Sequence, residues 1–131
     1  MSNLLREAVA LKDLTRAGWI RAGVADPESV AGHAWGVAWL VLVLADATID
    51  RDRAIQIALV HDLPEVRAGD ITPHDGISRS EKAERERRAA TALFKDQPHL
   101  LALWEEYEEG TSAEALFVKD CDKLDMVIQA R

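Results

Sequence analysis

The sequence predicts an all-α protein, a single compact bundle of about six helices without a sheet. Apolar residues recur at helical spacing, capping residues precede several apolar segments, and no run alternates with a period of two for long enough to form a strand. Seven glycines and four prolines in 131 residues are too few for a turn-rich sheet. A chain of this length suits one domain with one hydrophobic core, so we expect residues 1–131 to form one unit.

The first half of the chain contains three predicted helices. An amphipathic stripe over residues 4–14 is followed by a loop that Gly18 and Gly23 bracket. The segment from about 29 to 46 is apolar nearly all round, which is typical of a helix buried in the core. Asp50 can cap a third helix over 51–63. The tryptophans that we expect in the core or at an interface are Trp35, Trp39 and Trp104.

The second half begins with a predicted loop over 65–77 and continues with three helices. Ser78-x-x-Glu81 is a capping box that opens a very polar helix, whose charges are expected to face solvent unless Lys82 contacts a phosphate. Pro98 suits the first turn of a short helix, and Thr111-x-x-Glu114 is a second capping box before the last helix. The predicted apolar stripe of that helix consists of Phe117, Cys121, Leu124 and Ile128.

Charge and composition exclude several classes of function. A net charge of −7 argues against binding of a nucleic-acid polymer, which requires clustered Lys and Arg. Cys121 is the single cysteine, so neither an intramolecular disulfide nor a thiolate cluster for zinc can form. The longest apolar run covers residues 34–45, whereas a bilayer span needs about 20 residues. We therefore expect a cytoplasmic protein that does not enter the membrane.

Two histidines and two aspartates on three separate segments are candidate ligands for one divalent metal: His33, His61, Asp62 and Asp122. Mixed imidazole and carboxylate ligation suits Mn²⁺, Co²⁺, Fe²⁺, Ni²⁺ or Zn²⁺ better than Ca²⁺. A metal held in this way can activate water for attack on a phosphoester. Glu65 could transfer a proton and Asp70 could orient the water, although both residue types also cap loops. A lone histidine in a helix, such as His33, is also common as a core residue.

A series of sequence words runs in a fixed order along nearly the whole chain. The words span Leu11 to Trp19, Pro27 to His33, His61 to Ile71, Leu103 to Tyr107, and Ser112 to Ala130. In this order they resemble the HD-domain metal-dependent phosphohydrolases, and specifically their 5′-deoxynucleotidase branch. The resemblance implies the helical fold of the HD domain.

The resemblance also implies a role for each matching position. The implied metal ligands are His33, His61, Asp62 and Asp122, the last selected over Asp120 and Asp125 because it follows Val-Lys-x-x. Glu65 and Asp70 match the catalytic carboxylates of the family. Arg16 matches an arginine near the substrate phosphate. Trp19 matches a tryptophan beside the sugar, whose steric preference for 2′-deoxyribose would be about 1–3 kcal/mol.

The implied activity is removal of the 5′-phosphate from deoxyribonucleoside 5′-monophosphates by a metal-activated water. An HD-type phosphodiesterase or a nucleotide pyrophosphohydrolase would share the four ligands, whereas Arg16 and Trp19 favour the monophosphatase. A hypothesis of another class is a non-catalytic helical oligomerisation module with a structural metal.

Two features depart from the family pattern. Gly32 precedes His33 at a position where the family often carries an acidic residue. The chain ends at Arg131, whereas relatives usually continue for several further helices. Without those helices, apolar surface on the last helix would be exposed unless another subunit covers it. We therefore expect a homodimer or a higher homo-oligomer.

Overall fold

The computed structural model describes residues 2–16, 28–68 and 76–130, which form helices and no strand or sheet. Six helices of eight or more residues confirm the all-α prediction. They are α1 (Ser2–Val9), α2 (Val30–Leu44), α3 (Arg51–Val60), α5 (Arg79–Leu93), α6 (Pro98–Glu109) and α7 (Ala113–Gln129), with a 3₁₀ turn (Ala10–Lys12) after α1 and a one-turn helix α4 (Glu65–Ala68). No helix in these three ranges is long and apolar enough to cross a membrane.

Helix α3 lies at the centre of the bundle. It packs against α2, α6 and α7, and α7 also packs against α2 and α6. Ile57 on α3, Val41 on α2 and Val118 on α7 are completely buried in the shared core, as is Phe94 at the end of α5. Trp104 is 2% exposed, which confirms its predicted place in the core. Because three helices meet at α3, side chains near one end of each can converge.

The capping residues explain where the helices begin. Asp50 accepts a hydrogen bond from the Arg53 amide at 3.2 Å, which confirms the predicted start of α3. Ser78 caps α5 in the same way. The predicted start of α7 is wrong by one residue, because Ser112 rather than Thr111 is the cap. The Ser112 hydroxyl accepts from the backbone amide of Ala115 and donates to Glu106 on α6, a tertiary contact that the local sequence does not reveal.

The prediction that the helix over residues 29–46 is buried in the core is wrong, whereas the expected exposure of apolar surface on the last helix is confirmed. Helix α2 is not buried all round, since Trp35 and Trp39 are 66% and 51% exposed and stack on each other with ring centroids 6.2 Å apart. On α7, Leu124 and Ile128 of the predicted stripe are 38% and 41% exposed. The apolar pattern indicated helices correctly but did not distinguish a core face from an uncovered face.

Segment boundaries differ from the predictions in smaller ways. The predicted third helix ends at Val60 rather than residue 63, and the predicted loop 65–77 begins with the helical turn α4. An antiparallel bridge joins Thr15 and Ser29, in which the Arg16 amide donates to the Glu28 carbonyl. This bridge holds Arg16 beside the start of α2. Gly18, Gly23 and most of the predicted loop 65–77 lie outside the described residues.

Candidate metal centre

The structure brings the four predicted metal ligands together where the start of α2 and the end of α3 meet the middle of α7. His33 lies in the first turns of α2, His61 and Asp62 directly follow α3, and Asp122 lies midway along α7. Donor atoms of His33, His61 and Asp62 lie within 4.8 Å of one another. Asp122 Oδ1 is in direct contact with Nε2 of His33. Residues that are 89 positions apart in the chain therefore share one small cluster.

The hydrogen bonds of His61 define which ring nitrogen faces this cluster. Its Nδ1 donates to the Ala58 carbonyl at 2.6 Å, which leaves the lone pair on Nε2. Within the described ranges, Nε2 is buried and makes no hydrogen bond, although Asp62 Oδ2 lies 3.2 Å away. A nitrogen lone pair and a carboxylate oxygen repel each other unless a proton or a metal cation lies between them. This arrangement fits a divalent metal with nitrogen and oxygen ligands.

The pKa values of the cluster show that it favours positive charge. Burial alone would lower the pKa of His61, but chiefly the charge of Asp62 raises it to about 9. Burial would raise the pKa of Asp62, but the adjacent His61 lowers it to about 2. For His33, burial lowers the pKa, yet the hydrogen bond with Asp122 brings it above its ordinary value. All three directions favour positive charge at the cluster, as expected of residues that fit a cation.

Tyr107 on α6 supports the cluster and has no counterpart among the predicted site residues. Its hydroxyl donates to Asp122 Oδ2 at 3.1 Å, and its ring lies against that of His61 with centroids 4.7 Å apart. Burial, followed by the charge of Asp122, raises the pKa of Tyr107, so the side chain remains a phenol donor. The sequence offered two signals for it: Tyr107 lies one turn after the core residue Trp104, and it ends one of the words shared with the family.

The structure describes two of the four other predicted site residues. Glu65 begins α4, its backbone amide donates to the Asp62 carbonyl at 3.0 Å, and its Oε2 is buried. Burial raises the pKa of Asp62, whereas His61, His33 and Arg16 lower it, so Arg16 acts electrostatically on the cluster. Trp19 and Asp70 lie outside the described residues.

Asp125 was set aside as a ligand in favour of Asp122, and the structure shows a different contact for it. It lies one turn further along α7 and is 5% exposed. Its Oδ2 accepts a hydrogen bond from Nδ1 of His33 at 2.7 Å, on the side of the ring that faces away from Asp122.

Comparisons with known proteins agree with this architecture. The HD domain family model matches residues 8–131. The chain is 43% identical to a Bos taurus protein named 5′-deoxynucleotidase HDDC2, over 96% of this chain and 64% of that protein. It thus spans slightly less than two thirds of the length of that relative.

Two crystal structures are also similar. A protein from Pyrococcus horikoshii OT3 superposes with a TM-score of 0.86 at 38% identity, over 99% of this chain and 76% of that one. A protein from Magnetospirillum magnetotacticum MS-1, described as a predicted metal-dependent phosphohydrolase, superposes with a TM-score of 0.80 at 32% identity, over 97% and 68% of the two chains. The family and the His/Asp cluster together indicate a divalent metal. With its family model covering residues 8–131, this chain belongs to the HD domain family.

Proposed function

We propose that this protein is a metal-dependent phosphohydrolase that removes the 5′-phosphate of deoxyribonucleoside 5′-monophosphates, with residues 1–131 as one HD domain. The observation that carries the proposal is the buried Nε2 of His61, which faces Asp62 Oδ2 at 3.2 Å beside His33 and Asp122. Such a cluster favours a cation in contact with phosphate and water. The name of the bovine relative, 5′-deoxynucleotidase, supports the choice of substrate.

Each residue of the site has a task in this proposal. The metal, held by His33, His61, Asp62 and Asp122, would supply Lewis-acid activation of water and phosphate. Arg16 stabilises the negative charge that builds up on the phosphate oxygens during attack. Glu65 and Asp70 move the protons, one of which passes to the departing 5′-oxygen as the P–O bond breaks. Trp19, by its match to the family tryptophan, is assigned the task of disfavouring a 2′-hydroxyl.

The metal that best fits the proposal is Co²⁺ or Mn²⁺. Zn²⁺, Ni²⁺ and Fe²⁺ accept the same two imidazoles and two carboxylates, since affinity alone does not select among first-row metals. Elemental analysis of the purified protein identifies the native ion. The cytoplasmic location expected from the sequence stays a prediction.

A nucleotide panel tests the proposed activity. With Co²⁺ or Mn²⁺ added, the protein should release phosphate from dAMP or dTMP, and a chelator should abolish the release. AMP should react more slowly by a factor of about 5 to 150, because steric exclusion of one hydroxyl contributes only about 1–3 kcal/mol.

Other outcomes of the panel would point to other functions. Faster cleavage of a cyclic nucleotide or of dATP would favour a phosphodiesterase or a pyrophosphohydrolase. Absence of cleavage for every nucleotide and every metal would overturn the proposed function and favour a structural metal.

The protein assembles, in this proposal, as a homodimer or a higher homo-oligomer through its exposed apolar surface. Helices α2 and α7 pack against each other and expose large side chains next to solvent: Trp35, Trp39, Leu124, Val127 and Ile128. Exposed apolar surface of this kind is typical of an interface. Aromatic residues dominate the binding energy of interfaces, so the two tryptophans are the natural sites for a test.

Replacing Trp39 with Glu should weaken self-association at least tenfold, which corresponds to about 1.4 kcal/mol. Sedimentation velocity over a concentration series measures the change. Leu5→Glu is the matched control, because Leu5 is 62% exposed on α1, a helix outside the α2–α7 pair. A wild-type protein that is monomeric at all concentrations, or a Trp39→Glu variant that associates as tightly as wild type, would contradict this assembly.

A further inference from the structure

Asp125 is a buried carboxylate outside the predicted metal ligands. It is 5% exposed, and with His33 and His61 it belongs to the buried polar side chains of the described residues. Burial of a charged carboxylate is costly unless the group is paired and hydrogen-bonded. The hydrogen bond from His33 Nδ1, 2.7 Å long and between residues 92 positions apart, provides that pairing.

The two nitrogens of His33 face different carboxylates. Nε2 faces Asp122 in the candidate metal centre, whereas Nδ1 faces Asp125, with Glu28 Oε1 further away at 3.7 Å. A neutral imidazole that offers the Nε2 lone pair to a metal carries its proton on Nδ1. That proton is then donated to Asp125. Within the group formed by Glu28, His33 and Asp125, this hydrogen bond pairs His33 with Asp125. The group therefore does not need a second metal.

Gly36 on α2 leaves the space that this carboxylate occupies. A Cβ atom added at Gly36 would overlap Asp125 Oδ1 and lie 2.9 Å from its Cγ. Gly36 is buried and lies three residues after His33, in the interior of α2. Glycine inside a helix costs about 1 kcal/mol relative to alanine. The close approach of the Asp125 carboxylate gives a physical reason for glycine at this position.

We propose that Asp125 is a positioning residue that holds His33 in the orientation and tautomer required to bind the metal, and that Gly36 provides room for its carboxylate. The proposal rests on the metal centre of the proposed function. Carboxylates that accept from a metal-binding histidine typically contribute a factor of 10 to 100 in metal affinity. They act through the histidine, without touching the metal or the substrate.

Calorimetric titration of the metal-free protein with Co²⁺ tests the role of Asp125. Asp125→Ala should weaken Co²⁺ binding by a factor of about 10 to 100. Asp125→Asn keeps a carbonyl acceptor of the same shape and should fall between wild type and the alanine variant. Asp120→Ala is the matched control, because Asp120 is exposed on the same helix, and its affinity should stay within twofold of wild type.

A pair of glycine variants tests the role of Gly36. Gly36→Ala should weaken Co²⁺ binding about tenfold. Gly32→Ala, four residues earlier on α2, should stay within twofold, because its Cβ would meet the Ser29 hydroxyl at 3.3 Å and Glu28 Cβ at 4.0 Å but not Asp125. In an Asp125→Ala background the Gly36→Ala change should have little further effect, since the overlapping oxygen is gone. Independent effects of the two changes would contradict action of Gly36 through Asp125.

The tautomer of His33 provides a spectroscopic readout that a purely structural role would not change. In the Zn²⁺-loaded protein, a ¹H–¹⁵N correlation spectrum should show the proton on Nδ1 of His33. Its ¹H resonance should be shifted downfield by the carboxylate that accepts the hydrogen bond. This signal should move upfield in Asp125→Asn and remain unchanged in Asp120→Ala. Asp125→Asn and Gly36→Ala carry the test if Asp125→Ala does not fold.

The outcomes separate this proposal from the proposed function. Co²⁺ binding by Asp125→Ala, or by folded Asp125→Asn and Gly36→Ala, within twofold of wild type would overturn only the positioning role. Binding that depends on Asp125, without phosphate release from any nucleotide, would support the positioning role and overturn only the function. A wild-type protein that binds none of Co²⁺, Mn²⁺, Zn²⁺, Ni²⁺ and Fe²⁺ would overturn both.

Discussion

Replacing Asp62 with Asn is expected to lower kcat/KM for dAMP by about 10³-fold, which corresponds to about 4 kcal/mol of transition-state stabilisation. The substitution keeps the shape of the side chain but removes the negative charge that faces His61 Nε2 at 3.2 Å. An amide is a much poorer metal ligand than a carboxylate. We therefore expect a large loss of Co²⁺ affinity together with the loss of activity.

Asp52→Asn is the matched control for this prediction. Asp52 is exposed on α3, the helix that precedes Asp62, so the same chemical change there should leave kcat/KM within twofold. Circular dichroism of both variants checks that the helices persist. If Asp62→Asn bound Co²⁺ as tightly as wild type and retained its activity, Asp62 would not be a metal ligand.

Features that depend on local chemistry were predictable from the sequence. The caps Asp50 and Ser78 begin α3 and α5 because an oxygen two or three positions before a free amide stabilises a helix start in any context. Trp104 is buried because it occupies the apolar side of an amphipathic helix. The cluster of His33, His61 and Asp62 was also expected, first from the chemistry of the residue types and then from the resemblance to a family.

Features that depend on contacts between distant segments were not predictable in this way. Thr111 and Ser112 are equally good caps, and only the contact of Ser112 with Glu106 on α6 selects one of them. The family resemblance selected Asp122 rather than Asp125 as a metal ligand. It did not indicate that Asp125 accepts a hydrogen bond from His33, which lies 92 positions away in the chain. Apolar composition likewise left two locations open for Trp39, the core or an interface. Hydrophobicity does not specify whether another helix of the same chain or a second molecule packs against that side of the helix.

Replacing Glu65 with Gln is expected to lower kcat by a factor of about 10² to 10⁴ while Co²⁺ affinity changes less than threefold. Gln has the size of Glu but cannot pass a proton to the departing 5′-oxygen. The backbone amide of Glu65 donates a 3.0 Å hydrogen bond to the carbonyl of Asp62, so its side chain begins beside a proposed metal ligand. Glu65 is not among the four proposed ligands. Single-turnover kinetics with dAMP, combined with a Co²⁺ titration, separates the chemical step from metal binding.

Glu109→Gln provides the matched control, because Glu109 is exposed at the end of α6, and both quantities should stay within twofold of wild type. A Glu65→Gln variant with normal kcat would remove Glu65 from proton transfer and leave Asp70 as the carboxylate for that task. Parallel losses of kcat and Co²⁺ affinity would instead assign Glu65 to the support of the metal centre. Only a selective loss of kcat fits a residue that donates or accepts a proton during cleavage of the phosphoester.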